Sequence, residues 1–122
     1  METGPRRRFG RMAATRPDDE GESERSRRRA ARELVAAYHQ EELLRLLEHV
    51  RAGFVRLDAG EIDAFELDDV VHRYKRAAKM LWSFCGSSGS QWLQAANAIT
   101  RRREHGESLP DWWQESAPRD RA

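Results

Sequence analysis

Asp69 and His72 stand three positions apart within the run Leu67 to His72. On a helix that spacing sets both on nearly one face. A carboxylate and an imidazole so placed make half of the side-chain set that holds a di-metal centre in a four-helix bundle. The pair belongs to an acidic cluster of Glu61, Asp63, Glu66, Asp68 and Asp69, and Glu48 and His49 upstream are conceivable further ligands. A metal-dependent activity built on Asp69 and His72, with Glu66 and Glu48 or His49, predicts that these side chains converge across two packed helices. The motif occurs once, with the shorter aspartate, whereas a bundle di-iron site repeats it and adds two glutamates. The acids also have a local reason to be there, because negative side chains favour the positive end of a helix. His72 then pairs with Asp68 or Asp69. The local reading is preferred, and no cofactor is expected.

Arginine supplies the second set of candidates. Of the 22 basic residues 20 are arginine, Lys75 and Lys79 being the others. Arginine's planar fork suits bidentate recognition of phosphate and carboxylate. A GC-rich genome produces the same bias. The triplets are Arg6–Arg8, Arg27–Arg29 and Arg101–Arg103. On a helix Arg25, Arg28, Arg29 and Arg32 make one basic face free of large apolar neighbours. With Arg27, that face is a candidate tracker of nucleic-acid phosphates that needs no base contact. Asp18, Asp19, Glu20, Glu22 and Glu24 offset it, and Arg101–Arg103 have a local role as cations closing a helix.

All four tryptophans lie in the second half of the chain. Trp82 borders an apolar helical stripe, and Trp92 is placed to dock a third helix. Trp112 and Trp113 cannot easily face one side of a short element. One is expected at the surface, where exposed tryptophan favours protein docking.

Nucleophilic catalysis finds little footing. Cys85, the only cysteine, ends a helix, where the dipole disfavours a thiolate. Gly86 to Gly89 form no nucleophile elbow, since no strand precedes them, and no lysine follows to make a phosphate loop. Arg32 and His39, six residues between them, match the arginine–histidine spacing of some helical ribonucleases. With so many arginines such a pair arises easily by chance.

Positioning these residues requires helices. From Leu43 the apolar positions 43, 46/47, 50, 54 and 57, preceded by Leu34 and Tyr38, follow an amphipathic rhythm. They predict a helix over about 24–58, capped by Ser23 or Ser26 and stopped at Gly60. Asp63 and Glu66 have the spacing of a capping box, with Ile62 and Leu67 as its hydrophobic staple. The stripe Leu67, Val70/Val71, Tyr74, Ala77/Ala78, Leu81, Phe84/Cys85 then predicts a second helix over about 63–85, ended by Gly86. A short turn makes the two an antiparallel hairpin. A third helix over about 91–105, capped by Ser90, is to cover the hairpin through Trp92, Ala95/Ala96 and Ile99. A short C-terminal element follows, with Ser108 as cap and Pro110 in its first turn. The predicted fold is all-α.

The remainder bounds the function. The chain has 122 residues, 22 basic against 21 acidic, and a mean hydropathy of −0.90. It makes one domain at most. Residues 1–33 carry a net charge of +3 and only Phe9 and Met12 as large apolar residues, too few to offset the entropy of ordering. Residues 1–22 are therefore expected as a disordered arginine-rich arm, 23–115 as a small helical domain and 116–122 as a disordered tail. One cysteine excludes an internal disulfide framework or a four-cysteine zinc site. No apolar run approaches the ~20 residues of a membrane span, and no apolar stretch follows Arg6–Arg8 to make a leader. A cytoplasmic setting is expected. These features favour a small non-enzymatic interaction or regulatory protein. Its hairpin binds a protein partner or a second copy, and its arginine-rich arm reaches for nucleic acid. Metal chemistry at Asp69 and His72 is the alternative.

Overall fold

The computed structural model describes the backbone of residues 17–118 and the side chains of 23–118, and within them every regular element is helical. Four helices follow one another: α1 Pro17–Asp58, α2 Ala64–Cys85, α3 Gly89–Glu104 and α4 Trp112–Glu115. α1 and α2 form the expected hairpin, α3 packs along α1, and α4 closes against α2. Residues 1–16 of the expected arm and 119–122 of the expected tail lie outside the described residues. Residues 17–22 belong to α1 rather than to an arm.

The ends of the helices follow local chemistry. Asp63 Oδ1 accepts from the Glu66 backbone N–H at 2.8 Å, and Glu66 Oε1 accepts from the Asp63 N–H at 3.0 Å, so the capping box forms. Gly60 and Gly106 adopt φ of 76° and 68°. Beside each, paired bonds (Glu61 N–H to the Arg56 carbonyl, Glu107 N–H to that of Arg102, both 2.8 Å) satisfy the orphan carbonyls of α1 and α3.

Three caps differ from expectation. Ser23 and Ser26 lie inside α1, which begins at Pro17, rather than at its start. α3 starts at Gly89 with Ser88, not Ser90, as its cap, and the Ser88 hydroxyl caps nothing. Gln91 Oε1 instead reaches back over the helix start and accepts from the Ser87 N–H, one residue before the cap, at 2.7 Å. α4 is capped by Asp111, which accepts from the Trp113 and Gln114 N–H groups, rather than by Ser108. A carboxylate next to the docked Trp112 outcompetes a distant hydroxyl for the helix start.

The core draws Ala31, Val35, Tyr38 and Leu46 from α1, Ala77, Leu81 and Cys85 from α2, Ala95, Ala96 and Ile99 from α3, and Trp112 from α4. Phe84 lies between Tyr38 and Trp112, its ring centroid 5.7 and 5.4 Å from theirs. Gly53 is buried where α1 meets α2: a Cβ there would stand 2.9 Å from Leu67 Cδ1. The stripe expected on α2 is the buried one, but that of α1 divides. Leu46 is buried and Val50 and Leu57 half-buried, whereas Leu47 and Phe54 face solvent. Helical rhythm gives angular spacing and does not say which sector faces inward.

Candidate functional site

α2 carries Asp69 and His72 on its exposed side. The His72 ring pairs with Asp68, Nδ1 lying 2.8 Å from the Asp68 carbonyl oxygen and 3.3 Å from its Oδ2. Asp69, His72 and His49 do reach a common concavity of about 770 Å³ between α1, α2 and the chain end. Glu66 is spent in the capping box, and Glu48 lines a different hollow. Among the described residues no three His, Cys, Asp or Glu side chains come together as a metal would require.

Arginine dominates that concavity. Arg56 from the last turn of α1 and Arg73 and Arg76 from α2 line it, with Asp69 as the only carboxylate of the lining among the described residues. Arg73 donates from Nε and Nη2 to the Trp113 carbonyl at 3.1 and 2.6 Å. Arg76 does the same to the Ser116 carbonyl at 3.3 and 3.2 Å. The two guanidiniums thus tie the end of α4 to α2, and Ser116, expected at the start of a tail, is buried. Burial, then the neighbouring Arg76 charge, lowers the Arg73 pKa. Among the described residues none of the three arginines has a carboxylate within ion-pair distance. Sequence reading passed over all three. Their signal, Arg73 and Arg76 three apart on α2, is too common to single out.

Trp112 and Trp113 face different surroundings, but neither is exposed, contrary to the expectation for one of them. Trp112 is buried, its Nε1–H donating to the Tyr38 hydroxyl at 2.9 Å. Trp113 is half-buried between flat partners, with the His49 ring parallel to it at 4.1 Å and Arg73 Cζ 4.3 Å from its centroid. On the other side of that stack a hollow of about 550 Å³ gathers Glu41, Glu42, Glu48 and Asp111 with Arg45 and Arg103. Burial there raises the Glu42 pKa.

A third groove, about 330 Å³, brings Arg32 and His39 together with Trp82, Cys85 and Trp92. Arg32 Cζ stands 5.1 Å from the Trp92 ring, and the His39 ring meets Trp82 edge-on at 4.8 Å. His39 Nε2 is buried with no hydrogen-bond partner, and burial lowers the pKa of the ring. Burial drives the Cys85 thiol up to about 11, far from nucleophilic at neutral pH.

The remaining basic candidates, Arg25, Arg27, Arg28, Arg29 and Arg32, are all exposed on α1. Glu24 pairs with Arg27, and with Arg28 at 3.9 Å.

Among the described residues, four of the six exposed large hydrophobic side chains are also on α1. Leu44, Leu47, Phe54 and Val55 remain 55%, 42%, 50% and 61% exposed. At 3.6 residues per turn they occupy, with Arg51, a sector about 100° wide. The core-facing sector of Ala31, Val35, Tyr38, Leu46 and Gly53 lies about 150° away around the same helix. α1 therefore has two apolar faces, and the fold covers one. No family model, curated protein or solved structure matches this chain.

Proposed function

We propose that the protein is a small, non-enzymatic interaction protein that works as an antiparallel homodimer through the outer face of α1. The second apolar face of that helix carries this reading: four large side chains in one sector, left exposed among the described residues. A contiguous patch of that kind marks an interaction surface. Charge selects its occupant and direction. Glu48 and Arg51 sit within the patch, 3.6 Å apart on one chain. A parallel copy would oppose Glu48 to Glu48 and Arg51 to Arg51. An antiparallel copy, its two-fold axis crossing α1 near His49 and Val50, sets Leu44 and Leu47 against Phe54 and Val55. It also brings each Arg51 within a turn of the other Glu48. Opposite charges then flank an apolar seam.

The exposed basic turns of Arg25, Arg27, Arg28, Arg29 and Arg32 extend the reading. They suit a polyanionic partner such as nucleic-acid backbone, bound with a steep salt dependence. Arg25→Glu/Arg29→Glu in the full chain is expected to flatten the salt slope for random duplex DNA.

Sedimentation equilibrium of the full chain tests the dimer. The wild type is expected at twice its monomer mass. Leu47→Glu should sediment as a monomer with unchanged helical circular dichroism, because Leu47 lies outside the core. Glu48→Arg should weaken association, and Glu48→Arg/Arg51→Glu should restore it. A wild type that stays monomeric at its solubility limit, or a double variant no better than the single, overturns the proposal.

A further inference from the structure

Beyond self-association, we propose that the concavity between α1, α2 and α4 is a binding site for a small phosphorylated molecule. Its phosphate is held by Arg56, Arg73 and Arg76.

Three arginines meet one carboxylate, Asp69, around a hollow of about 770 Å³. Arg73 is half-buried while Arg56 and Arg76 stand at the exposed rim, and an arginine drawn out of water is usually matched by an acid. Here Arg73 and Arg76 spend Nε and Nη2 on the carbonyls of Trp113 and Ser116. Those bonds orient the two guanidiniums without neutralising them. The Nη1 group of each, and the whole guanidinium of Arg56, find no acceptor among the described residues. Carbonyl anchoring of this kind leaves a fixed, pre-ordered array of donors, which lowers the entropy cost of gripping an anion. Guanidinium forks match phosphate oxygens in number and planarity.

The same charges argue against a cation at Asp69 and His72, since three positive groups share the lining. The volume exceeds what a bare phosphate fills. The wall of Ala52, Val70 and Trp113 supplies apolar contact for an attached organic body. Pockets of this size hold small organic ligands.

Isothermal titration calorimetry of the full chain with inorganic phosphate, pyrophosphate, ribose 5-phosphate and a short single-stranded oligonucleotide is the test. The proposal expects the phosphomonoester and pyrophosphate to bind and the oligonucleotide, with its diester backbone, to bind the pocket no better. The Arg56 side chain makes no hydrogen bond or ion pair among the described residues, so Arg56→Ala should keep native stability and lose binding about tenfold, one charge-assisted contact. Asp69→Asn removes the opposing charge and should tighten binding, an effect no purely structural role of these residues produces. Absence of heat with all the phosphates overturns the site. So does binding that ignores both substitutions, or zinc binding that is abolished by His72→Ala. Each outcome is read at monomer concentrations, independently of dimerisation.

Discussion

The His49 ring lies stacked on the Trp113 indole, their planes 1° from parallel, and this pair is the wall shared by two hollows of opposite net charge. On one side stand Glu41, Glu42, Glu48 and Asp111, on the other Arg56, Arg73 and Arg76. The separation depends on α4, a helix of only four residues. Its position is set at both edges, by Trp112 in the core and by the guanidiniums of Arg73 and Arg76. A short C-terminal element thus divides a mainly acidic hollow, which also holds Arg45 and Arg103, from a mainly basic one, which also holds Asp69.

Tyr38→Phe is expected to destabilise the fold by about 1–3 kcal/mol. The substitution keeps the ring contact with Phe84 but leaves the buried Trp112 Nε1–H without its acceptor. Urea denaturation followed by tryptophan fluorescence measures it. A loss of only a few tenths would mean that water reaches the indole nitrogen.

Gly53 separates two opposing effects. Alanine is favoured over glycine inside a helix by about 1 kcal/mol. Its Cβ would meet Leu67 Cδ1 at 2.9 Å, the movable tip of a side chain, while Val70 Cγ1 lies at 3.5 Å. Gly53→Ala should therefore fall within about 1 kcal/mol of the wild type. Gly53→Val has no such slack and should cost about 1–3 kcal/mol. Chemical denaturation of the pair checks the contrast, which vanishes if α1 and α2 are further apart than described.

How much of this was legible beforehand varies with the kind of signal. The capping box of Asp63 and Glu66 and the stops at Gly60, Gly86 and Gly106 are local, and each does at its position what its type implies. The hairpin follows from the α2 stripe, whose apolar residues have one face to cover. α1 is different: Leu47 and Phe54 satisfy the same rhythm as Leu46 and Val50 yet lie in the outer sector. Periodicity cannot order two apolar sectors of one helix. The arginine site was less legible still, because Arg73 and Arg76 matter through carbonyls forty residues further along the chain. Asp69 and His72 do share a hollow with His49, but the charge around them comes from residues that carry no motif.

His39 gives stability a pH dependence of known sign. Burial lowers its pKa from the ordinary value of 6.5, so near that value the unfolded chain binds the extra proton. Stability therefore rises with pH through that interval and is lost as the solution is acidified below 6.5. His39→Gln should flatten the dependence between about pH 5.5 and 7.5, while Glu42, whose pKa burial raises, acts in the opposite sense. Thermal melts across that range provide the measurement, and parallel curves for variant and wild type would remove His39 as the cause.

The turns of α1 from Ser23 to Ala30 stand outside the core that begins at Ala31. What supports them locally includes the exposed pairs of Glu24 with Arg27 and Arg28. Such pairs are worth a few tenths of a kcal/mol and are screened by salt, unlike the packing beneath. Ionic strength therefore acts on this stretch while leaving the body intact. Concentrated salt should loosen these turns by roughly a few tenths of a kcal/mol while the core from Ala31 onward keeps its packing.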